Sequence, residues 1–346
     1  ETIDCTPGTL VLPERLFLSE DGSSDRLIQL SQAQVVEIDG TLVTLKLDEA
    51  TRVYALARSS TRGGDGSVLT LDANMGAGQD VAGNPTLAVT TLLLNEIDDD
   101  VPPMLLSVRL NLSDSMMTMR TTETILLSNQ SYSLNKNVTS LKMASLYISN
   151  ATLVDTASIG VTLNLDGRAA VVGEKTFFDY FEFTLLLEES LRVEVLKLMP
   201  EYRLKTRTET ASFDVRFESS SYNHTMVMDV FEGAFQDASG LNVSSTYNVT
   251  IIVAQDVVRP TLLRVVVDFS GGYLYLEADE TIDVTLISLN DLTLTPHQGA
   301  APTGCFVDPL SMCNGTVLAP TTDSKIVTIQ MSEGVRVAAQ YSTLLL

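Results

Sequence analysis

The feature that most constrains this chain is an internal repeat, in which one segment recurs 157 residues later without a gap. Residues 99–125 align with residues 256–282, and 10 of the 27 aligned positions are identical. Each copy opens with an Asp and a Pro, as at Asp99 and Pro103, and continues into alternating apolar residues. A chain with such a period is expected to be an array of similar structural units.

Two further motifs recur with this opener in a fixed order. A middle motif at residues 43–53, 183–193 and 327–337 places a Glu and an Arg three positions apart in every copy. A closing motif with an Asp and a Gly occurs at residues 79–84 and again at residues 236–241. This spacing favours a turn, because Asp bonds to nearby backbone and Gly accepts positive φ.

Alternation of apolar and polar residues with a period of two dominates the segments between turn signals. Residues 41–47, 247–253 and 273–277 are examples, rich in side chains that suit a half-buried pleated surface. Many short strands with frequent turns predict an all-β sandwich. Residues 188–198 have helical propensity, but their counterparts in the other copies look strand-like. The middle motif is therefore interpreted as strand–turn–strand, with its Glu and Arg facing each other.

The motifs divide the chain into three ranges, residues 1–98, 99–255 and 256–346. The second range contains all three motifs and is predicted to be one complete domain between two partial ones. A half sandwich exposes strand edges and a core face, which is unfavourable. We therefore expect either a longer covalent array or neighbouring molecules that complete each other's partial domains.

The Asp–Pro opener, the alternating strands and the closing turn Val-Ala-Gly-Asn at residues 81–84 resemble tandem bacterial-type immunoglobulin-like domains. In that family a Gly-Asn turn precedes the last strand. The second copy keeps the glycine as Gly240 but has Leu241 in place of the asparagine. The resemblance implies tandem Ig-like β-sandwich domains and a spacer or scaffold in an extracellular fibre rather than a catalyst.

Asn-x-Ser/Thr sequons are more numerous than chance predicts for a chain with 14 asparagines. The eight sequons begin at Asn111, Asn129, Asn137, Asn150, Asn223, Asn242, Asn248 and Asn314. N-glycans are bulky and solubilising, and they report passage through a secretory route. We therefore expect covalent N-glycans at several sites, a secreted or cell-surface location and a eukaryotic source.

The three cysteines fit the same location. Cys305 and Cys313 enclose a hairpin-sized loop and are predicted to form a disulfide, which is typical of extracellular proteins. The segment after Cys5 resembles the segment after Cys313, so a partner of Cys5 would lie upstream of residue 1. A free thiol at Cys5, or a bridge to another chain, stays open as an alternative.

Candidate sites for chemistry are few. Asp98, Asp99 and Asp100 at one unit boundary, and Asp256 at the next, offer the carboxylate oxygens that Ca²⁺ prefers. Calcium between domains is therefore a candidate, although acidic linkers are usually only solvated. Two histidines and three cysteines leave little material for a zinc or histidine-based centre. We expect no enzymatic activity and no cofactor other than Ca²⁺.

The charge and the apolar runs narrow the choice of partners. The formal net charge of -22 makes nucleic acid and anionic membranes poor partners, and no apolar run is long enough to span a membrane. The sequence thus predicts a glycosylated extracellular structural protein whose copies assemble head to tail into a filament. Two alternatives stay open: an adhesin or receptor ectodomain that binds glycan or protein through its loops, and accessory domains of a glycoside-acting enzyme.

Overall fold

The computed structural model of the chain describes residues 11–20, 28–39, 42–127, 141–150, 161–172, 181–199, 226–284, 287–294, 310–312, 315–318 and 324–344. Two compact units are formed by residues 1–256 and residues 257–346. Both units consist mainly of β-sheet, so the prediction of an all-β fold is confirmed.

The first unit begins with a four-stranded sheet and a separate hairpin. Its elements up to residue 98 are β1 (Leu16–Glu20), β2 (Ile28–Gln29), β3 (Gln34–Asp39), β4 (Leu42–Lys46), α1 (Glu49–Leu56), β5 (Leu69–Ala73) and β6 (Val89–Leu93). The sheet has the order β2-β1-β5-β6, and β3 pairs with β4. All of these pairs are antiparallel.

The same unit continues with eight strands that hydrogen-bond in one series. They are β7 (Leu105–Asn111), β8 (Met116–Thr121), β9 (Leu146–Ser149), β10 (Thr162–Asn164), β11 (Ala169–Val172), β12 (Glu182–Leu187), β13 (Val227–Val230) and β14 (Thr246–Ala254), with helix α2 (Glu189–Leu198) between β12 and β13. Their order is β10-β9-β13-β14-β7-β8-β12-β11.

This order is that of an immunoglobulin sandwich. β7, β8, β12 and β11 form the series A-B-E-D, and β14, β13 and β9 form the series G-F-C, which β10 extends. β7 connects the two series, because it is antiparallel to β8 and parallel to β14. The Ig-like interpretation of the fold is therefore confirmed for this segment.

Alternate residues of these strands form the core. β8 and β12 each bury every second side chain, as the period of a strand requires. The rings of Phe183 and Phe235 meet edge to face inside the sandwich, with centroids 6.3 Å apart. Further core residues are Val108, Leu110, Met117, Met119, Ile148, Leu185 and Val230. The alternation that predicted strands thus also identifies much of the buried face.

Six strands and one α-helix make up the described part of the second unit. They are β15 (Leu262–Asp268), β16 (Tyr273–Ile282), β17 (Thr293–Leu294), β18 (Leu310–Ser311), β19 (Thr316–Leu318), β20 (Ser324–Gln330) and α3 (Glu333–Leu344). The main sheet has the order β15-β16-β20-β19, and β17 pairs with β18. Leu274, Val327 and Ile329 lie in its core.

The repeat relates these strand sets to one another. β5 and β6 lie 157 residues before β13 and β14, and β15 and β16 lie 157 residues after β7 and β8. The order β2-β1-β5-β6 therefore matches C′-C-F-G of the sandwich, and the order β15-β16-β20-β19 matches A-B-E-D. The sandwich of residues 105–254 thus combines both kinds of sheet.

The middle motif contains a helix, so its interpretation as strand–turn–strand is wrong. In each copy a strand leads directly into α1, α2 or α3. Leu191, Val195 and Leu198 are buried in α2, and spacings of four and three place them on one face of a helix. The strand-like sequence of the counterparts in the other copies had led to the strand interpretation. None of the helices in the described part of the chain is long and apolar enough to span a membrane.

Candidate functional site

An arginine of the middle motif forms the same ion pair in all three copies. Arg52, Arg192 and Arg336 each bind the glutamate three residues earlier, at the first turn of the helix, through two nitrogen–oxygen contacts of 2.5–2.9 Å. Residues three apart are neighbours on a helix, so the pair forms within one turn. The predicted pairing is therefore present, but a helix produces it instead of a turn between strands.

Two of these arginines also bind the turn between strands A and B of their own sandwich. Arg192 Nη1 donates to the carbonyl oxygen of Leu112 at 3.3 Å, and Arg336 Nη1 donates to that of Phe269 at 2.9 Å. Leu112 and Phe269 are themselves related by the 157-residue repeat. The guanidinium group thus fixes the helix after strand E against the A–B turn.

The arginines of the first unit further bind the aspartate that opens the following repeat. Arg52 Nη1 lies 3.0 Å from Asp99 Oδ2, and Arg192 Nη1 lies 2.5 Å from Asp256 Oδ2. Asp99 and Asp256 are the same residue of the opener. The side chain of Arg192 is only 5% exposed, so its charge is largely removed from water. Each arginine therefore forms a joint between the middle motif of one repeat and the opening aspartate of the next.

The joint at Arg52 gathers two more acids. Arg52 Nη2 lies 3.0 Å from Glu123 Oε2, and carboxylate oxygens of Asp99, Glu123 and Asp237 all lie within 4.8 Å of one another. Glu49 accepts the backbone N–H of Thr124 at 2.7 Å. We call Asp99, Glu123 and Asp237 the acidic triad. It is the only such metal-sized group found among the described residues.

Backbone pairing brings two members of the acidic triad together. Ile125 forms an isolated bridge with Asp237, and the N–H of Leu126 donates to the carbonyl of Gln236 at 2.8 Å. The closing turn then holds Asp237, because the N–H of Gly240 donates to its carbonyl at 3.1 Å. The opener and the closer of the same repeat therefore meet at this point.

The electrostatics of the acidic triad favour protonation. Burial raises the pKa of Glu123 to about 7, and the nearby charges of Asp99 and Asp237 act in the same direction against the attraction of Arg52. Burial also raises the pKa of Asp237. Burial of Glu49 has the same tendency, but the hydrogen bonds from Arg52 and Thr124 outweigh it and lower its pKa. One guanidinium group therefore does not compensate all the carboxylates around it.

The four calcium candidates have different surroundings. Asp99 belongs to the acidic triad, whereas Asp98 accepts the backbone N–H of Arg62 at 3.0 Å and Asp256 binds Arg192. Asp100 is exposed. The prediction thus found one of the three clustered acids and missed Glu123 and Asp237. Their recurrence as Glu280 and Asp80 in the aligned motifs was the available signal.

The predicted modification sites are only partly described. Asn111 and Asn150 are half-buried, and Asn242 and Asn248 are exposed. The sequons at Asn129, Asn137, Asn223 and Asn314 lie outside the described residues. Cys5, Cys305 and Cys313 also lie outside them, so the disulfide stays a prediction.

Comparison with known proteins adds little to this geometry. No family model matches the chain, and no curated protein matches it. Among solved structures, a marsupial T cell receptor is similar at a TM-score of 0.16 and 10% identity, over 95% of this chain and 88% of that chain. A likeness at that level supports no conclusion about function. Any proposal about function therefore rests on the strand order and the joints.

The raised pKa of Glu123 predicts how stability depends on pH. A carboxyl whose pKa rises from 4.5 to about 7 on folding binds its proton more tightly in the folded state. Stability is therefore expected to fall as the pH rises through this window, by at most about 3 kcal/mol for this group. Urea unfolding of the chelator-treated chain between about pH 5 and pH 8 measures the effect.

The variant Glu123→Gln should remove most of this slope, since it cannot titrate. Glu333→Gln is the matched control, because Arg336 lowers the pKa of Glu333 and places its titration below the window. Equal slopes in the wild type and in Glu123→Gln would contradict the prediction.

Proposed function

We propose that this protein is a structural, non-catalytic subunit of an extracellular filament, built from tandem Ig-like domains that assemble head to tail. The observation that carries the proposal is a core face of the second unit that is open to solvent. Leu262 and Val265 are 53% and 45% exposed, whereas their repeat counterparts Leu105 and Val108 are 4% and 0% exposed. The same strand is thus buried in one repeat and open in another.

The first unit offers a matching open edge. β14 has two neighbours, β13 and the parallel strand β7, but its counterpart β6 pairs only with β5 among the described residues. Leu92 and Leu93 of β6 are 52% and 73% exposed. Apolar strands with an unpaired edge favour pairing with another strand. β15 of one copy is expected to lie parallel to β6 of the next, as β7 lies beside β14.

The joints at Arg52 and Arg192 support a structural role for a chain of tandem domains. Arg52 and Arg192 each pair within their own helix and also with the opening aspartate that follows, Asp99 or Asp256, through charge-assisted bonds. Such links suit a structural chain of domains.

Assembly can be tested with the purified 346-residue chain. We expect oligomers that grow with concentration in analytical ultracentrifugation, and short filaments in negative-stain electron microscopy. Val265→Asp should reduce the association at least tenfold, because it places a charge on the face that assembly would bury. Ile252→Asp is the control, since Ile252 is 59% exposed on β14, whose two edges are already paired. A chain that stays monomeric at all concentrations would overturn the proposal.

We also propose that the filament protein is secreted and N-glycosylated. Asn248 is an exposed residue with a φ of 61° in β14, and its N–H donates to Asp229 at 2.8 Å. Thr91, 157 residues earlier, has the same conformation and donates to Asp72 at 2.6 Å. This conformation, with a positive φ and an N–H bond to an aspartate, therefore does not require an asparagine, which supports Asn248 as a modification site.

Asn111 has a structural role instead. Its side-chain Nδ2 donates to Asp114 at 2.8 Å, and its Oδ1 accepts the N–H of Ser113 at 3.1 Å in the A–B turn. Its repeat counterpart, Asp268, accepts the N–H of Ser270 in the equivalent turn at 2.9 Å. The A–B turn thus needs an acceptor at this position, and Asn111 supplies it.

These contrasts predict unequal glycan occupancy. In the chain secreted from a eukaryotic host, glycopeptide mass spectrometry should find Asn242 and Asn248 modified and Asn111 modified less. Thr250→Ala should abolish modification at Asn248 and leave Asn242 unchanged, because it destroys only the sequon at Asn248. Unmodified Asn242 and Asn248 in secreted protein would contradict the proposal.

One observation favours a binding role as the second candidate. Phe231 lies edge to face with Tyr147 and Tyr247, at centroid distances of 5.2 and 5.6 Å. Phe231 is 43% exposed and Tyr247 is 54% exposed, and their counterparts in the first repeat are Asn74 and Thr90. An exposed aromatic patch in one domain suits recognition of a ligand with an apolar face.

This candidate predicts saturable binding of a glycan in an oligosaccharide array, followed by titration of the best ligand. Phe231→Ala should weaken that binding at least tenfold, while the exposed residue Leu106 on β7 serves as the control in Leu106→Ala. An array without binding, or equal affinities for both variants, would exclude the patch as a glycan site.

A further inference from the structure

We propose that the acidic triad of Asp99, Glu123 and Asp237 binds one Ca²⁺ ion at the joint beside Arg52. The inference is independent of filament formation, since all three residues lie in the first compact unit of a single chain. It differs from a calcium site made by the acidic linker, because two of the three ligands come from other segments.

The geometry of the triad fits one hard cation. Two oxygens that bind the same Ca²⁺ at about 2.4 Å are at most about 4.8 Å apart. Carboxylate oxygens of all three residues lie within 4.8 Å of one another. All three ligands are oxygens, with neither sulfur nor imidazole, which favours Ca²⁺ over zinc. Waters would complete the six to eight ligands of the ion.

One carboxylate of this triad, that of Asp237, has a buried oxygen without a partner. Asp237 is 0% exposed, and its Oδ1 accepts the N–H of Leu241 and the hydroxyl of Ser239 at 2.8 and 2.7 Å. Its Oδ2 is buried and has no hydrogen-bond partner. An unsatisfied buried carboxylate oxygen is unfavourable, so it requires a proton or a cation.

The repeat explains why this oxygen has no partner. In the first repeat, Oδ1 of the equivalent Asp80 accepts the N–H groups of Ala82 and Asn84, and its Oδ2 accepts Asn84 Nδ2 at 2.7 Å. Leu241 holds the position of Asn84 in the second repeat and has no side-chain amide to donate. The same turn therefore satisfies both oxygens of its aspartate in one copy and leaves one of them without a partner in the next.

Arg52 leaves the triad with excess negative charge. It contacts one oxygen of Asp99 and one of Glu123, at 3.0 Å each, while it also binds Glu49 through two contacts. Asp99 Oδ1 accepts the N–H of Val101 at 3.2 Å and keeps a lone pair for another ligand. The guanidinium thus contacts only two of the three carboxylates of the triad and is already engaged by Glu49, and a divalent ion would balance the remaining charge.

A bound ion would tie three segments together at the joint. Asp99 precedes strand β7, Glu123 follows strand β8, and Asp237 lies in the turn between β13 and β14. These segments converge beside helix α1 through Arg52. Calcium is therefore expected to stiffen the connection between the first two repeats.

Calcium titration of the chelator-treated full chain tests the site. Affinities of carboxylate sites in extracellular modules correspond to a Kd on the order of 10⁻⁴ M. At about a hundred times this Kd, Ca²⁺ should raise the Tm of the first unit by roughly 5–10 °C in calorimetry. Isothermal titration should give one site per chain. Absence of a shift, or an equal shift with Mg²⁺, would overturn the assignment.

Three variants separate the site from general effects of the ion. Asp237→Asn should lower the affinity at least tenfold, and Leu241→Asn should also lower it, since it supplies the amide that Asn84 supplies in the first repeat. Asp80→Asn is the matched control and should keep the full calcium shift. If Asp80→Asn lost the shift, or if Asp237→Asn and Leu241→Asn both kept it, the triad would not be the site.

Discussion

The structure of the first unit depends on an arginine at each joint, and the side chain of one of them, Arg192, is only 5% exposed. Burial of a guanidinium is unfavourable unless every partner is in place, and deletion of one partner from a buried pair typically destabilises by about 3–5 kcal/mol. Arg192 forms an ion pair with Glu189 of its own helix and another with Asp256 of the opener that follows. It also donates a hydrogen bond to the carbonyl of Leu112 in its own sandwich. The middle motif of one repeat is therefore held by the opening aspartate that follows it.

The strands obey a second constraint, which is that a strand needs neighbouring strands to cover its apolar face. β7 meets this constraint by pairing with β8 on one side and β14 on the other, and its core residues are fully covered. β15 carries the same sequence pattern, yet the burial of its residues is different because that cover is missing among the described residues. Burial is thus a property of the neighbours that a strand acquires, and the pattern alone does not determine it.

Much of the fold could be predicted from the sequence, because strand alternation and repeat spacing are local signals. The helix of the middle motif was missed, because the strand-like counterparts of residues 188–198 outweighed the helical propensity of this segment. The joint burial of Leu191, Val195 and Leu198 on one face reveals the helix. The acidic triad was even harder to predict, because Glu123 meets Asp237 through an isolated bridge at Ile125 and meets Asp99 through Arg52, and both are long-range contacts without a local pattern.

The closing turn shows how a repeat can acquire a new property without a change of fold. Asp80 and Asp237 have the same backbone turn, with matching bonds from the glycine N–H to the aspartate carbonyl at 2.9 and 3.1 Å. One of the differences, Asn84 in one copy and Leu241 in the other, decides whether Oδ2 of the aspartate is satisfied locally. Where it is not, the acid becomes available to the opener of its own repeat. The leucine at position 241 thus frees the aspartate of the closing turn for the joint, while the shared turn keeps the sandwich intact.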